Sequence, residues 1–326
     1  MTEKPKIFLT RELPPETMAL LHDQCELTMN REDRVLEKSE IIAGIQGCDG
    51  LLCLLTDTID ADIMDANPDL KVIANFAVGF NNIDVAAATK RKLPITNTPG
   101  VLTETTADMA WALLMDAARR VSEGDRLVRT KSWNGWGPLQ LLGADVSGGT
   151  LGLVGMGRIA RAMAKRAIGF DMRILYWNRT RLETTDERIM GAEFVELDEL
   201  LTLSDFLSLH VALTPETKHL IGATELAKMK STAILVNTAR GPVVDEQALV
   251  AALQTGTIAG AGLDVYEHEP ALAPELYELE NAVVAPHLGS ATIGTRTKMG
   301  NMAANNCLSA CRGTRPENLV NPEIYA

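Results

Sequence analysis

Three stretches in the second half of the chain each run from apolar residues into side chains able to hold or transfer charge. Ala233-Ile-Leu-Val-Asn-Thr-Ala-Arg240 ends on a guanidinium, Asp264-Val-Tyr-Glu-His-Glu269-Pro carries carboxylates, and Val283-Val-Ala-Pro-His287 ends on an imidazole. A guanidinium offers a planar fork matched to a carboxylate. An imidazole is the side chain that gains and loses a proton near neutrality, and a carboxylate bonded to its second ring nitrogen orients it and stabilises its charged form. Singly, each residue has a plainer reading as a surface ion pair, a solvated loop acid or a structural histidine. Taken together they point to one crevice, because ligands of open parallel sheets bind outside the carboxyl ends of the strands.

The stretch Leu151-Gly-Leu-Val-Gly155-Met156-Gly157-Arg158-Ile159-Ala160 supplies the second half of the chemistry. An apolar strand entering Gly-x-Gly-x-x-Ala makes a tight turn, lets backbone approach a diphosphate and opens a helix whose N-terminal amides face the anion. A dinucleotide cofactor is the expectation. With a nicotinamide beside Arg240, Glu269 and His287, the set suits reversible hydride transfer to a 2-oxo acid. Arg240 would hold the carboxylate and polarise the ketone, His287 would protonate the nascent alkoxide, and Glu269 would orient His287. Asp264 and Thr103 could fix the nicotinamide carboxamide. His22, His210, His219 and His268 read as structural histidines, His210 lying near the cofactor through its backbone.

An acid about 20 residues beyond the glycines selects NAD through the adenosine ribose. Here the strand end reads Asn178-Arg179-Thr180-Arg181, which removes repulsion against a 2′-phosphate and adds two guanidinium groups and a hydroxyl. NADP(H) is therefore the expected cofactor, with NAD(H) as a second possibility.

These motifs need strands to carry them. Ile7–Leu9, Leu27–Met29, Gly50–Leu55, Lys71–Ala74 and Pro94–Thr96 alternate with helical patterns, the rhythm of βα units on a parallel sheet. A long amphipathic helix is expected over Thr103–Arg129, and a second βα series runs through Leu151, Arg173–Trp177, Phe206–Leu209, Ala233–Val236, Ala259–Val265 and Ala282–Val284. The final helical stretch, Ala291–Arg312, and the tail Val320–Glu323 are too short for a domain and should return to the first one. The predicted fold is α/β with two doubly wound parallel-sheet domains: a flavodoxin-like substrate domain, 1–98 and 288–326, and a Rossmann cofactor domain, 99–287. Hinges near Pro99 and Pro286 would let the lobes close and exclude water.

Composition narrows the classes. The 326 residues exceed the size at which single cores stop growing. A net charge of −12, from 43 acidic and 31 basic residues, argues against general nucleic-acid binding. No apolar run approaches the roughly 20 residues of a membrane span, and no signal-peptide core follows Met1, so the cytoplasm is the expected address. Five cysteines without a C-x-x-C pair suit a reducing compartment, and no metal site is expected. Cys307 and Cys311 should share a helix face as small buried hydrophobes.

In these segments, together with Val78-Gly79-Phe-Asn-Asn-Ile-Asp84, Thr98-Pro-Gly-Val-Leu-Thr103, Leu213-Thr-Pro-Glu-Thr217 and Pro286-His287-Leu-Gly-Ser290, the chain resembles the D-isomer-specific 2-hydroxyacid dehydrogenases. It is most similar to the glyoxylate and hydroxypyruvate reductases, and the resemblance spans nearly the whole length. It implies Arg240, Glu269 and His287 as the catalytic set, with substrate contacts from the Val78 and Gly79 amides, Leu54 and the neighbouring subunit's Trp136. It implies cofactor contacts at Thr103, the glycine turn from Gly155 to Ile159, Asn178 to Arg181, His210, Val211, Thr214, Thr217, Thr238, Ala239, Asp264, His287 and Gly289. A homodimer built through the cofactor domains is implied too. Leu54, Leu55 and Trp136 could shape a pocket for glyoxylate or for hydroxypyruvate.

Other readings compete. Phosphoglycerate dehydrogenases would carry a further regulatory domain and a basic substrate loop, and a phosphite-oxidising relative would carry Lys at Val78. Another small 2-hydroxyacid could be the substrate. A dinucleotide-sensing corepressor would keep the fold and act as a binding module without turnover.

Overall fold

The computed structural model describes residues 3–325, which divide into two compact units. The first comprises the residues up to Leu102 and those from Ala291 onward; the second is Thr103–Ser290.

The first unit contains β1 (Lys6–Leu9), α1 (Pro15–Gln24), β2 (Glu26–Met29), α2 (Lys38–Gly44), β3 (Gly50–Leu54), α3 (Ala61–Ala66), β4 (Val72–Phe76), α4 (Val85–Lys90) and β5 (Ile95–Thr96). Its strands form a parallel sheet in the order β2-β1-β3-β4-β5, the flavodoxin-like order. The strands read as continuous apolar runs because both faces are covered; β3 and β4 are buried almost throughout. Asp60 and Asp84 accept from the third amide of α3 and of α4, ordinary N-caps that start each helix sharply. The C-terminal tail does return here: Val320 N donates to Ile95 O at 2.8 Å, and Asn321 Oδ1 accepts from Ile95 N at 2.9 Å.

In the second unit, α5 (Thr103–Arg119) and α6 (Val121–Arg129) precede β6 (Thr150–Val154), α7 (Arg158–Ile168), β7 (Arg173–Trp177), α8 (Thr184–Met190) and β8 (Ala192–Phe194). Then come α9 (Leu197–Leu203), β9 (Phe206–Leu209), α10 (Ala223–Lys228), β10 (Ile234–Asn237), α11 (Glu246–Thr255), β11 (Gly260–Leu263) and β12 (Ala282–Val284). The last helix, α12 (Ile293–Cys311), belongs to the first unit. The seven-stranded parallel sheet has the order β12-β11-β10-β9-β6-β7-β8, so the chain reverses direction across the sheet between β6 and β9.

Two expectations need correction. The helix expected over Thr103–Arg129 is two helices, because Arg120 adopts a left-handed backbone and the Asp116 carboxylate takes the Ser122 amide at 2.7 Å, restarting the helix. The apolar pattern runs on through the break, which is why sequence alone misses it. The edge strand β8 was also not expected; it is three residues long with an exposed Glu193.

Strand register decides where the functional loops leave. Val154, Leu209, Asn237, Leu263 and Val284 are successive register partners across β6, β9, β10, β11 and β12, and Val154 also pairs with Trp177 at the end of β7. Six loops therefore emerge from one edge of one sheet. Beneath them lie buried Leu153, Leu175, Leu209, Leu235 and Leu263, each contributing about 1.5–3 kcal/mol of transfer free energy toward a rigid platform.

Candidate active site

His287 follows β12 with a left-handed backbone, φ 55°. Histidine tolerates that region better than most non-glycine residues, though at a cost. The surroundings hold it there: Asp264, 1% exposed at the end of β11, accepts from the Leu288 amide at 2.6 Å and the Gly289 amide at 2.7 Å. Thr106 Oγ1 donates to Gly289 O at 3.0 Å, and the Tyr266 hydroxyl donates to Ala285 O at 2.9 Å. The imidazole so placed has Nδ1 2.8 Å from Glu269 Oε2.

Glu269 Oε1 accepts from the Tyr266 amide at 3.1 Å. Burial alone would raise the Glu269 carboxyl, but the His287 bond and charge, the Tyr266 amide and the Arg240 charge outweigh it and hold it below the usual carboxylate range. It is ionised at neutrality. At Asp264 the same effect prevails: burial raises the carboxyl, against the two amides and the His287 charge.

Arg240 leaves β10 on a turn braced by buried Asn237, whose Oδ1 accepts from Ala239 N and whose Nδ2 donates to Arg240 O, each at 3.0 Å. The next residue must be glycine: a Cβ at Gly241 would stand 1.8 Å from Tyr266 O and 2.5 Å from Glu267 N. That close approach seats the Arg240 turn against the Glu269 loop. Burial lowers the guanidinium below its ordinary value while the Glu269 charge opposes the shift. A desolvated cation, a carboxylate and an imidazole bonded to that carboxylate thus share one sheet edge, a set able to bind an anionic carbonyl compound and deliver a proton to it.

The glycine turn lies at the same edge. Gly155 has φ 88°, and its Cβ would stand 3.0 Å from His210 O, so the turn needs glycine on both counts. Gly157, the N-cap of α7, is different: a Cβ there meets no atom within 4 Å, and no side chain caps the helix. Backbone amides at an open helix start, with nothing but hydrogen at the second glycine, fit a diphosphate. Ala160 is fully buried, consistent with a small third residue under the turn. Nearby, Thr238 Oγ1 is one of three buried side-chain polar atoms without a partner among the described residues, which fits a missing polar ligand after β10.

At the end of β7, Asn178 Oδ1 accepts from Met156 N at 3.4 Å and Nδ2 donates to Thr180 O at 2.8 Å, tying the glycine turn to the following loop. Arg158, Arg179 and Thr180 are exposed. Arg181 is exposed too, but its Nε and a terminal nitrogen pair with Glu187 at 2.8 and 2.9 Å, and its guanidinium lies 5.6 Å above the Phe194 ring. The two arginines are therefore not equivalent.

Other expected contacts divide. His210 bonds Ser208 through Nε2 at 2.9 Å, and burial pushes it down to about 3, so its ring is neutral and structural; its amide serves the sheet through Val154 O. Thr217 Oγ1 is used within its own turn, donating to Ala212 O and accepting from Thr214 N. Val211 and Ala239 are half-buried beside these loops. Thr103 is the first residue of α5 and is half-buried.

In the first unit, Asn75 Nδ2 donates to Gly79 O and Asn97 Nδ2 to Val78 O, fixing the peptide planes of Val78 and Gly79. Leu54 ends β3, half-buried, with Leu55 beside it. Trp136 is 84% exposed. All five cysteines are free and buried, and no cluster able to hold a metal occurs among the described residues. No helix among the described residues is long and apolar enough to cross a membrane.

Sequence reading missed Tyr266 and Thr106, uncharged side chains whose hydroxyls reach backbone 19 and 183 residues away, and Asn237, whose amide braces its own turn. It also left His219 unused, although its Nε2 lies 2.6 Å from Glu267 Oε1.

The chain is similar to known proteins over nearly its whole length. Residues 111–289 match the family described as D-isomer specific 2-hydroxyacid dehydrogenase, NAD binding domain. The chain is 53% identical over 324 residues to a glyoxylate reductase of Korarchaeum cryptofilum, covering 98% of this chain and 97% of that one. It is 47% identical over 325 residues to the glyoxylate reductase of Thermococcus litoralis, with 98% of both chains covered. Among solved structures, a protein of Thermus thermophilus superposes with a TM-score of 0.91 at 46% identity, covering 97% of this chain and 99% of that one. An NADPH-dependent glyoxylate/hydroxypyruvate reductase of Sinorhizobium meliloti, in complex with NADP and malonate, superposes with a TM-score of 0.88 at 32% identity, over 98% and 97% of the chains. With its dinucleotide turn, its two parallel-sheet units and its Arg240, Glu269 and His287 at one sheet edge, the chain belongs to the D-isomer-specific 2-hydroxyacid dehydrogenases.

Proposed function

We propose that the protein reduces glyoxylate to glycolate, and hydroxypyruvate to D-glycerate, with NADPH preferred over NADH. The observation that carries the reading is the 2.8 Å bond between His287 Nδ1 and an ionised Glu269, which keeps the other ring nitrogen for a proton directed at substrate. The relatives' names supply the substrate class. Asn178 at the ribose position and exposed Arg179 support the cofactor preference, since neither repels a 2′-phosphate.

When bound, the reduced nicotinamide supplies the hydride. Gly155, Met156, Gly157, Arg158 and Ile159 would hold its diphosphate, Asn178 to Thr180 its adenosine end, and Thr238 its polar edge. Arg240 would bind the substrate carboxylate and polarise the C2 ketone, with Val78, Gly79 and Leu54 proposed as further substrate contacts. As C2 gains the hydride, its oxygen takes the proton from Nε2 of His287, and the imidazolium charge that Glu269 had stabilised is discharged. Asp264 holds the His287 loop in register throughout.

The five free thiols suit a reducing compartment, and we propose the cytoplasm. Trp136, Leu139, Leu142, Val121 and Val128 are exposed apolar side chains close in sequence, which supports a homodimer with Trp136 at the neighbour's site. Steady-state kinetics over a panel of small 2-oxo acids with both cofactors tests the function. Turnover of glyoxylate with NADPH at a higher kcat/KM than with NADH supports it. Cofactor binding without turnover of any 2-oxo acid would make the protein a dinucleotide sensor instead.

A further inference from the structure

His219 joins the two segments that carry Arg240 and Glu269. Its amide donates to Pro242 O at 2.8 Å, inside the turn that follows Arg240. Its Nε2 lies 2.6 Å from Oε1 of Glu267, two residues before Glu269. To reach both, its backbone is left-handed, φ 52°, a region that only glycine occupies without strain.

Glu267 is held from its other side as well. Its Oε2 accepts from the Glu246 amide at 3.3 Å, and its own amide donates to Glu246 Oε2 at 2.9 Å. Glu246 is the first residue of α11, where the helix dipole favours a carboxylate, and its Oε1 takes the Ala273 amide at 2.5 Å. The loop from Tyr266 to Pro270 thus carries two imidazole–carboxylate pairs: Glu267 with His219 and Glu269 with His287. The Gly241 approach to Tyr266 O is the floor between them.

We infer that the His219–Glu267 pair is a positioning device for the reaction: it fixes the spacing between the Arg240 turn and the loop that presents Glu269 to His287. The inference rests on the proposed roles of Glu269 and His287. Neither His219 nor Glu267 touches the reacting atoms in this scheme. Their effect passes through geometry, to which such sites are steep; a displacement near 1 Å costs on the order of 10²-fold in rate.

The test separates the side chain from the backbone it sits on. His219→Gly removes the imidazole and relieves the left-handed residue, so the fold should melt no earlier than the parent. Single-turnover hydride transfer to glyoxylate, followed by loss of reduced-nicotinamide absorbance, should slow about tenfold, while the Kd for NADPH stays within about twofold. His219→Gln returns a donor nitrogen near the position of Nε2 and should recover a large part of that rate. A parent-like rate in His219→Gly, or a His219→Gln variant no faster than His219→Gly, overturns the inference. His287→Ala runs alongside: if it is slow while His219→Gly is not, only the positioning role fails. If His287→Ala itself transfers hydride at the parent rate, the functional reading fails and takes this inference with it.

Discussion

Asp264 accepts the backbone amides of Leu288 and Gly289, at 2.6 and 2.7 Å, and so fixes the left-handed turn that aims His287 at its site. Asp264, expected to touch the nicotinamide, takes one amide on each carboxylate oxygen, both from the loop of His287, the proposed proton donor. Asp264→Asn puts an amide donor against one of those backbone donors. It should lower kcat by about 10- to 100-fold, the scale of one to three kcal/mol for a buried polar group left unpaired. Steady-state kinetics checks this; an unchanged kcat would mean the loop holds its shape without the carboxylate.

Gly157 separates cofactor binding from folding. Its φ is −77° and a Cβ meets no atom within 4 Å, so Gly157→Val should fold and melt close to the parent. A side chain there occupies the path of the diphosphate, so the thermal shift produced by saturating NADPH should disappear. A variant that keeps the full shift would remove Gly157 from the diphosphate site. Gly241→Ala is the opposite case, with backbone 1.8 Å from the new carbon, and should fail to fold.

Cofactor choice should divide unequally between the two arginines. Arg181 is held by Glu187, whereas Arg179 is exposed. Arg179→Gln should therefore cost about tenfold or more in the NADPH:NADH ratio of kcat/KM, a factor equal to about 1.4 kcal/mol, and Arg181→Gln less. Asn178→Asp should shift the ratio toward NADH in the same direction. Equal losses from both arginines would show that the Glu187 pair opens for the phosphate.

The Glu187 pair also gives the fold a pH dependence of known sign. The Arg181 and Tyr176 hydrogen bonds pull its carboxyl from 4.5 down to about 2. A depressed carboxyl stabilises the fold above its ordinary value and loses that contribution as pH falls through the folded one. The Tm advantage of the parent over Glu187→Gln should be constant at neutral pH and shrink from about pH 4.5 toward 2. An advantage that grows on acidification would contradict the assignment.

Much of this site was legible in the sequence because its signals are local. The glycine turn directly follows an apolar run, Arg240, Glu269 and His287 lie within six residues of one, and the parallel sheet brings the ends of those runs into register. What escaped depends on distant partners. The bonds that Asp264 takes from the Leu288 and Gly289 amides span 24 and 25 residues and leave no local signature. Arg181 looked equivalent to Arg179 because Glu187 comes round only when α8 folds back. The break at Arg120 was hidden by an amphipathic pattern that continues across it, since the cap that makes it comes from Asp116.

The central claim is that His287, oriented by Glu269, gives the proton that accompanies hydride transfer. Single-turnover reduction of glyoxylate by NADPH in the parent and in His287→Ala tests it most directly. The account predicts a fall of about 10²-fold or more with NADPH binding retained. A His287→Ala variant that binds NADPH and transfers hydride at the parent rate would contradict it.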